Sequence, residues 1–265
     1  MKNPMESGSR VESNESEPNS NVVIADFFRH GSTEYKQNFA TPEEVEAMEG
    51  NFPRDLSPKG EAEIRETAEK IVDTINPETD IVVLWSSPAW RAQGSEEILQ
   101  ELLDQKGIAV YKDSNISSMR NFAQRDKEYM NSLWESLAPT GKSAELTYAR
   151  DPQFQEKNDK FESQPEVKRR AERVLNAIYT LTRKADLQGK RLRIIGSSHF
   201  EFLNPIMEDI YGPKVDTGEG INKGENIRLT FTNDPDTDDV KISSDFRGEH
   251  KKGITFDKDS RTLNV

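Results

Sequence analysis

A doubly wound α/β domain, with a mostly parallel sheet and helices on both faces, is the fold class the sequence predicts. Three observations predict it. Short β-branched and aromatic runs (NVVIADFF from Asn21, IVVLW from Ile81, and Leu192 to Ile195) alternate with longer stretches of helical periodicity. Each of these runs stops in a compact polar cluster: Arg29-His30-Gly31, Ser86-Ser87-Pro88 or Gly196-Ser197-Ser198-His199. No internal repeat is visible, so the alternation reads as one α/β unit over residues 21–265.

The elements follow in order. Residues 1–20 (MKNPMESGSRVESNESEPNS) carry almost no apolar surface to offset ordering entropy and are expected to form a disordered tail. After the first strand, a polar stretch runs to about Arg54. A helix is expected from Ser57, with Pro58 at its first position and Ile64, Ala68, Ile71, Val72 and Ile75 on one face, ending at Asn76-Pro77. Strand IVVLW leads into a second helix, with Ala92, Ile98, Leu99, Leu102 and Leu103 inward and Gly107 near its end. Ile108 to Tyr111 reads as a short third strand. Residues 113–164 are polar with scattered aromatics (Phe122, Tyr129, Trp134, Tyr148, Phe154, Phe161) and are expected to form helical pieces of a cap or insertion. A strongly amphipathic helix begins at Gln164, with Val167, Ala171, Val174, Leu175, Ile178 and Leu181 aligned. The strand at Leu192 is followed by a helix over about Phe200 to Tyr211. Ile227 to Thr232 and Val240 to Ser243 look like an antiparallel pair at the end of the sheet.

Composition narrows the function. The net charge is −12 and no run approaches the roughly 20 apolar residues of a membrane span. General affinity for nucleic acid or an anionic membrane is therefore not expected, because both rest on clustered Lys and Arg. With no cysteine, thiolate chemistry and disulfides are excluded, and a reducing, cytoplasmic setting fits. A local anion site remains compatible with the acidic whole.

Such a site is visible. Of three histidines, His30 and His199 lie just beyond strand ends, and Arg91 lies just past another. Open α/β sheets bind ligands at that rim. Arg29, His30, Arg91 and His199 are thus delivered from three segments toward one place. Two guanidinium forks and two imidazoles there suit a tetrahedral oxyanion.

These residues resemble a known family. Phe28-Arg29-His30-Gly31-Ser32-Thr33 resembles the Arg-His-Gly signature of the histidine phosphatase superfamily, the phosphoglycerate-mutase-like fold. Leu56-Ser57-Pro58-Lys59-Gly60 is similar to its Leu-Thr-x-x-Gly segment, and Ser86-Ser87-Pro88-Ala89-Trp90-Arg91-Ala92 to its Ser-Ser-Pro-x-x-Arg-Ala block. Glu162-Ser163 with Arg170 resembles its Gly-Glu-Ser segment, with Phe161 in place of the glycine, and Ser198-His199 is placed like its second histidine. The matches keep family order over about residues 21 to 245.

The resemblance implies a phosphomonoester hydrolase that acts through a phosphohistidine on His30, on a small phosphorylated metabolite, without metal or other cofactor. It implies that Arg29, Arg91 and His199 hold the phosphoryl oxygens, with Thr33 and Ser198 as further donors. Its mutase-like branch has a proton-donating glutamate where this chain has Asn121, in Met119-Arg120-Asn121. Its acid phosphatase branch has an acid just after the second histidine, as in His199-Phe200-Glu201. Glu201 is therefore the favoured proton donor, with Asp113, Asp126 and Glu128 in reserve. Gly94, where the family often has Gln, is expected to widen the pocket. A phosphoglycerate-mutase-type transferase and a non-catalytic phosphate-binding module are the alternatives.

Plainer roles stand beside these. Glu201 equally suits a helix N-terminus by charge, Arg91 could pair with Glu96 or Glu97, and Thr33 and Ser198 could be local caps. Glu162 is expected to be structural and His250 solvated. Trp85, Trp90 and Trp134 suit packing, with Trp90 and Trp134 also candidates for the substrate side. Arg120 and Arg125 are candidates for extra anion contacts from the cap.

Overall fold

The computed structural model describes residues 21–48, 51–141, 143–212, 220–234, 237, 239–257, 259 and 262–265. The expected tail, residues 1–20, lies outside the described residues.

An eight-stranded mixed sheet organises the chain. Four strands run parallel, in the order β3 (Val110–Asn115), β2 (Asp80–Ser86), β4 (Arg191–Ser198) and β1 (Val22–Arg29). β5 (Asn226–Asp234) then pairs antiparallel with β1, and β6 (Asp239–Phe246), β7 (Glu249–Phe256) and β8 (Leu263–Asn264) extend the antiparallel half. The expected antiparallel pair is therefore the start of a longer meander. β7 (EHKKGITF) escapes a pattern reading because five of its eight residues are exposed, and its charged, Gly-interrupted half lies toward the sheet edge. β3 also sits later than Ile108 to Tyr111. As the opposite edge strand it pairs on one side alone and is mostly exposed (VYKDSN), so it has no apolar run to announce it.

Side chains alternate between two cores, as the pleat requires. Val23, Ala25, Phe27, Val83 and Ile194 face a large core shared with α7 (Gln164–Lys184) and α8 (Phe200–Tyr211). Phe28, Val82, Leu84 and Ile195 face the other core, made with α3 (Pro58–Val72) and α4 (Trp90–Gln105). Helices thus cover both faces. The short helices α1 (Lys36–Phe39) and α2 (Pro42–Ala47) lie in the polar stretch between β1 and α3. Under the α3–α4 layer, buried Asp26 of β1 receives Arg193 of β4 (2.8 Å) and Arg228 of β5 (2.7 Å), tying three strands crosswise.

Between β3 and α7 the chain forms α5 (Lys127–Leu137), α6 (Ala144–Arg150) and 3-10 turns around a separate apolar cluster. Phe122, Met130, Tyr148, Phe154, Phe161 and Val167 make that cluster. A buried ion pair helps to fasten it to α7. Arg170 of α7 donates to both carboxylate oxygens of Glu162 (2.8 and 3.0 Å), and its Nη1 donates to the carbonyls of Ser118 (2.5 Å) and Arg120 (2.9 Å). No described helix is long and apolar enough to cross a membrane.

Candidate active site

β4 lies between β1 and β2, so the carboxyl ends of three adjacent parallel strands open on one rim. That is the switch point at which such sheets bind ligands. β1 delivers Arg29 and His30, β2 delivers Ser87 and, at the second residue of α4, Arg91, and β4 delivers His199. The backbone of each end is pinned to β4: His30 N–H donates to the Ser198 carbonyl and Ser87 N–H to the Ser197 carbonyl, both at 3.0 Å. Behind His30, Gly31 and Gly60 meet backbone to backbone. A Cβ on Gly31 would overlap the Gly60 carbonyl, and one on Gly60 would overlap the Ser32 carbonyl, so only glycine fits at either position.

The four predicted side chains converge. His30 and His199 rings lie 5.0 Å apart, edge to face. Arg91 bridges them, with Nε 3.2 Å from His30 Nε2 and Nη2 3.4 Å from His199 Nδ1. Hydrogen bonding assigns the tautomers, since a guanidinium only donates. His30 Nδ1–H donates to the Gly31 carbonyl (2.8 Å), leaving a lone pair on Nε2 facing Arg91. His199 accepts on Nδ1, so its Nε2–H donates to Ser87 Oγ (2.7 Å). Arg29 spends Nη1 on the Ile221 carbonyl (3.1 Å) and Nη2 on Glu145 (2.8 Å), and its buried Nε has no hydrogen-bond partner. All four residues are at most 9% exposed.

Burial decides the protonation states. It holds both imidazoles well below the usual histidine range, and the charge of Arg91 reinforces it at each. His30 is therefore held toward the neutral form, its Nε2 lone pair accepting from Arg91. A cavity of about 520 Å³ opens over this cluster, lined among others by Arg29, His30, Arg91, Tyr35, Trp134 and Phe200. Two carboxyls reach it, Glu201 from the first turn of α8 and Glu145 from α6. Burial pushes Glu201 up from the usual carboxyl value, against the pull of Arg29 and Arg91. Burial pushes Glu145 the same way, but the hydrogen bond from Ser143 and the charge of Arg29 outweigh it and leave Glu145 below its usual value. Two acids in one cavity are thus driven apart, one toward holding a proton and one toward charge.

No protein-family model and no curated protein sequence matches the chain. Its three-dimensional structure does find neighbours. Phosphoglycerate mutase from Bacillus anthracis str. Sterne superposes with a TM-score of 0.50 at 15% identity, over 89% of this chain and 93% of that one. A protein described as mycobacterial hydrolase 1 gives 0.50 at 13% identity, over 88% of this chain and 100% of the other. The chain has the phosphoglycerate-mutase-like fold.

Other predicted residues fall elsewhere in this phosphoglycerate-mutase-like fold. Thr33, expected in the phosphate site, is a loop staple: its hydroxyl donates to the Asp55 carbonyl (2.5 Å), accepts from Tyr35 N–H (3.0 Å), and does not line the cavity. Ser198 Oγ donates to the Met119 carbonyl (2.6 Å) and so positions the loop that carries Asn121 into the cavity wall. Gly94 does not widen the pocket. A Cβ there would overlap the Arg54 carbonyl, so glycine lets the 54 loop pack onto α4. Of the reserve acids, Asp126 caps α5 by accepting from Tyr129 N–H (2.9 Å), Asp113 sits on β3 beside Glu96, and Glu128 is exposed; none lines the cavity. Arg120 is engaged by Glu162 of the insertion (3.6 Å) and Arg125 by Glu166 of α7 (3.2 Å). Trp90 stacks on Phe52 (5.0 Å), while Trp134 lines the cavity. His250 is on the surface, paired with Asp245 (2.6 Å).

The sequence reading missed Glu145, Tyr35, Gln124, Lys127 and Asn131, which complete the cavity wall. No local motif marks them. They come from short helices and loops without a long apolar stripe.

Proposed function

We propose that the protein is a phosphomonoester hydrolase working through a phosphohistidine on His30, with a small phosphorylated molecule as substrate. The observation that carries this reading is the His30 lone pair, fixed by the Gly31 carbonyl, at the floor of a cavity that Arg91 and Arg29 also line, with His199 in contact with Arg91.

In the first step His30 Nε2 attacks phosphorus and the P–O bond to the leaving group breaks. The leaving oxygen takes its proton from Glu201. Arg91 and Arg29 carry the charge on the phosphoryl oxygens, which is where preorganised donors count most, and His199, whose one N–H goes to Ser87, orients Arg91 through its Nδ1. In the second step water attacks the phosphohistidine, the Glu201 carboxylate takes its proton, and the P–N bond breaks to release inorganic phosphate and neutral His30. No metal enters either step. We read residues 21–265 as one domain in which 113–164 is a cap over the site; the cap supplies Asn121, Gln124, Lys127, Asn131, Trp134 and Glu145 to the wall.

Phosphate release from p-nitrophenyl phosphate and a panel of phosphorylated metabolites tests the proposal. The expected result is turnover that His30→Ala abolishes, with labelled phosphate trapped on wild-type protein by an acid-sensitive, base-stable bond. Phosphate release unchanged in His30→Ala would sink it. The mutase alternative has a structural neighbour behind it, and interconversion of 2- and 3-phosphoglycerate faster than phosphate release would favour that reading.

A further inference from the structure

Arg29 is the one member of the phosphate cluster already held by an anion. Its Nη2 is 2.8 Å from Glu145 Oε1, and that carboxylate is oriented by the Ser143 hydroxyl, which donates to Oε2 (2.6 Å). Glu145 stands at the second position of α6, so the contact joins the cap to the floor of the site. Its side chain is 29% exposed against 10% for Arg29, and its carboxyl stays ionised for the reasons given above. Arg29 Nε is buried without a partner. A carboxylate of the chain itself thus takes a guanidinium edge that suits a phosphoryl oxygen equally well.

We propose that Glu145 is a specificity-determining residue that competes with the phosphoryl group for Arg29, weakening the site for free phosphate and for ligands whose second anionic group lies beside the phosphoryl. This rests on the reading of the cluster as a phosphate site. The physical ground is that carboxylate and phosphoryl oxygens seek the same planar donor pair, and that like charges in a partly buried pocket repel more strongly than in water. Favoured substrates are phosphomonoesters with an uncharged or cationic group next to the ester oxygen. Inorganic phosphate, once formed, meets the same competitor, and its release is assisted.

Titration calorimetry of the full chain with inorganic phosphate tests this, comparing wild type with Glu145→Gln. The amide keeps an oxygen for Arg29 and loses the charge. Phosphate should bind about tenfold more tightly to the variant, with the gap narrowing as salt rises. KM for a phosphomonoester with an adjacent carboxylate should fall more than KM for one with a neutral leaving group. Glu145→Ala should behave alike, and melting curves of both variants report whether each is folded. Equal or weaker phosphate binding in both folded variants would overturn the inference and make Glu145 a residue that positions Arg29. Absence of phosphate binding in wild type and variants alike would overturn the phosphate site, and the inference with it.

Discussion

The rim of the parallel sheet and the cap over it solve opposite problems. At the rim, His30, Arg91 and His199 hang from strand ends whose backbones are locked to β4 and whose faces are buried in two large cores. In the cap, strand pairing among the described residues is reduced to a bridge between Gln124 and Phe161, and the segment is held by a small apolar cluster and by ion pairs, Glu162–Arg170, Glu145–Arg29 and Arg125–Glu166. On the proposed function, chemistry would rest on the sheet rim and selection of the ligand on the cap. That division lets one be altered without the other.

The largest test of this contrast is Glu162→Ala. Removing one partner of a buried ion pair leaves Arg170 uncompensated, at a cost of about 3–5 kcal/mol. Arg170 also carries the carbonyls of Ser118 and Arg120, so the cap wall should loosen with it. The expected outcome is a lower Tm and a KM for metabolite substrates raised far more than the Kd for inorganic phosphate. Equal loss of both would show that rim and cap are one unit.

Next comes Glu201→Gln, on the rim side. A lost general acid costs on the order of 10²-fold in kcat. Esters with poor leaving groups should slow by that amount and p-nitrophenyl esters by much less. For the wild type, Glu201 must be protonated to act, so kcat for poor leaving groups should fall as pH rises through its elevated pKa, and the fall should vanish in Glu201→Gln. Equal slowing of both ester types would assign the proton to another group.

The smallest effect concerns Glu96 on α4, which shows that the rigid part has a weak point of its own. Burial, together with Asp113 beside it, pushes this carboxyl up to about 8, against a hydrogen bond from Ser86. The unfolded chain releases that proton near the ordinary value of 4.5, so between the two values the folded state binds more protons and stability falls as pH rises. Glu96→Gln mimics the protonated form. It should be more stable than wild type by a margin that grows from the ordinary glutamate value up to pH 8, and equal to it below that value. Melting curves across this range that stay parallel would refute the assignment.

The same contrast explains what could be read from the sequence. Strands such as NVVIADFF and IVVLW are buried on both faces, so their apolar runs stand out, and the polar clusters that end them mark the rim. His30, Arg29, Arg91 and His199 were legible for that reason. Glu145 was not, because its role depends on a cap helix folding back across 116 residues to meet Arg29. Thr33 and Gly94 were misread because motif position alone does not say where a hydroxyl points or which backbone needs room. β7 was invisible because its first half, Glu249 to Gly253, is charged and mostly exposed and carries no apolar alternation.

The paired glycines behind His30 carry a consequence for heredity and engineering alike. Positions 31 and 60 each exclude a methyl group because of backbone in the opposing loop, so a larger residue at one cannot be rescued by shrinking the other, which is already minimal. Libraries built to broaden the substrate range should hold both constant and spend their diversity between residues 121 and 145.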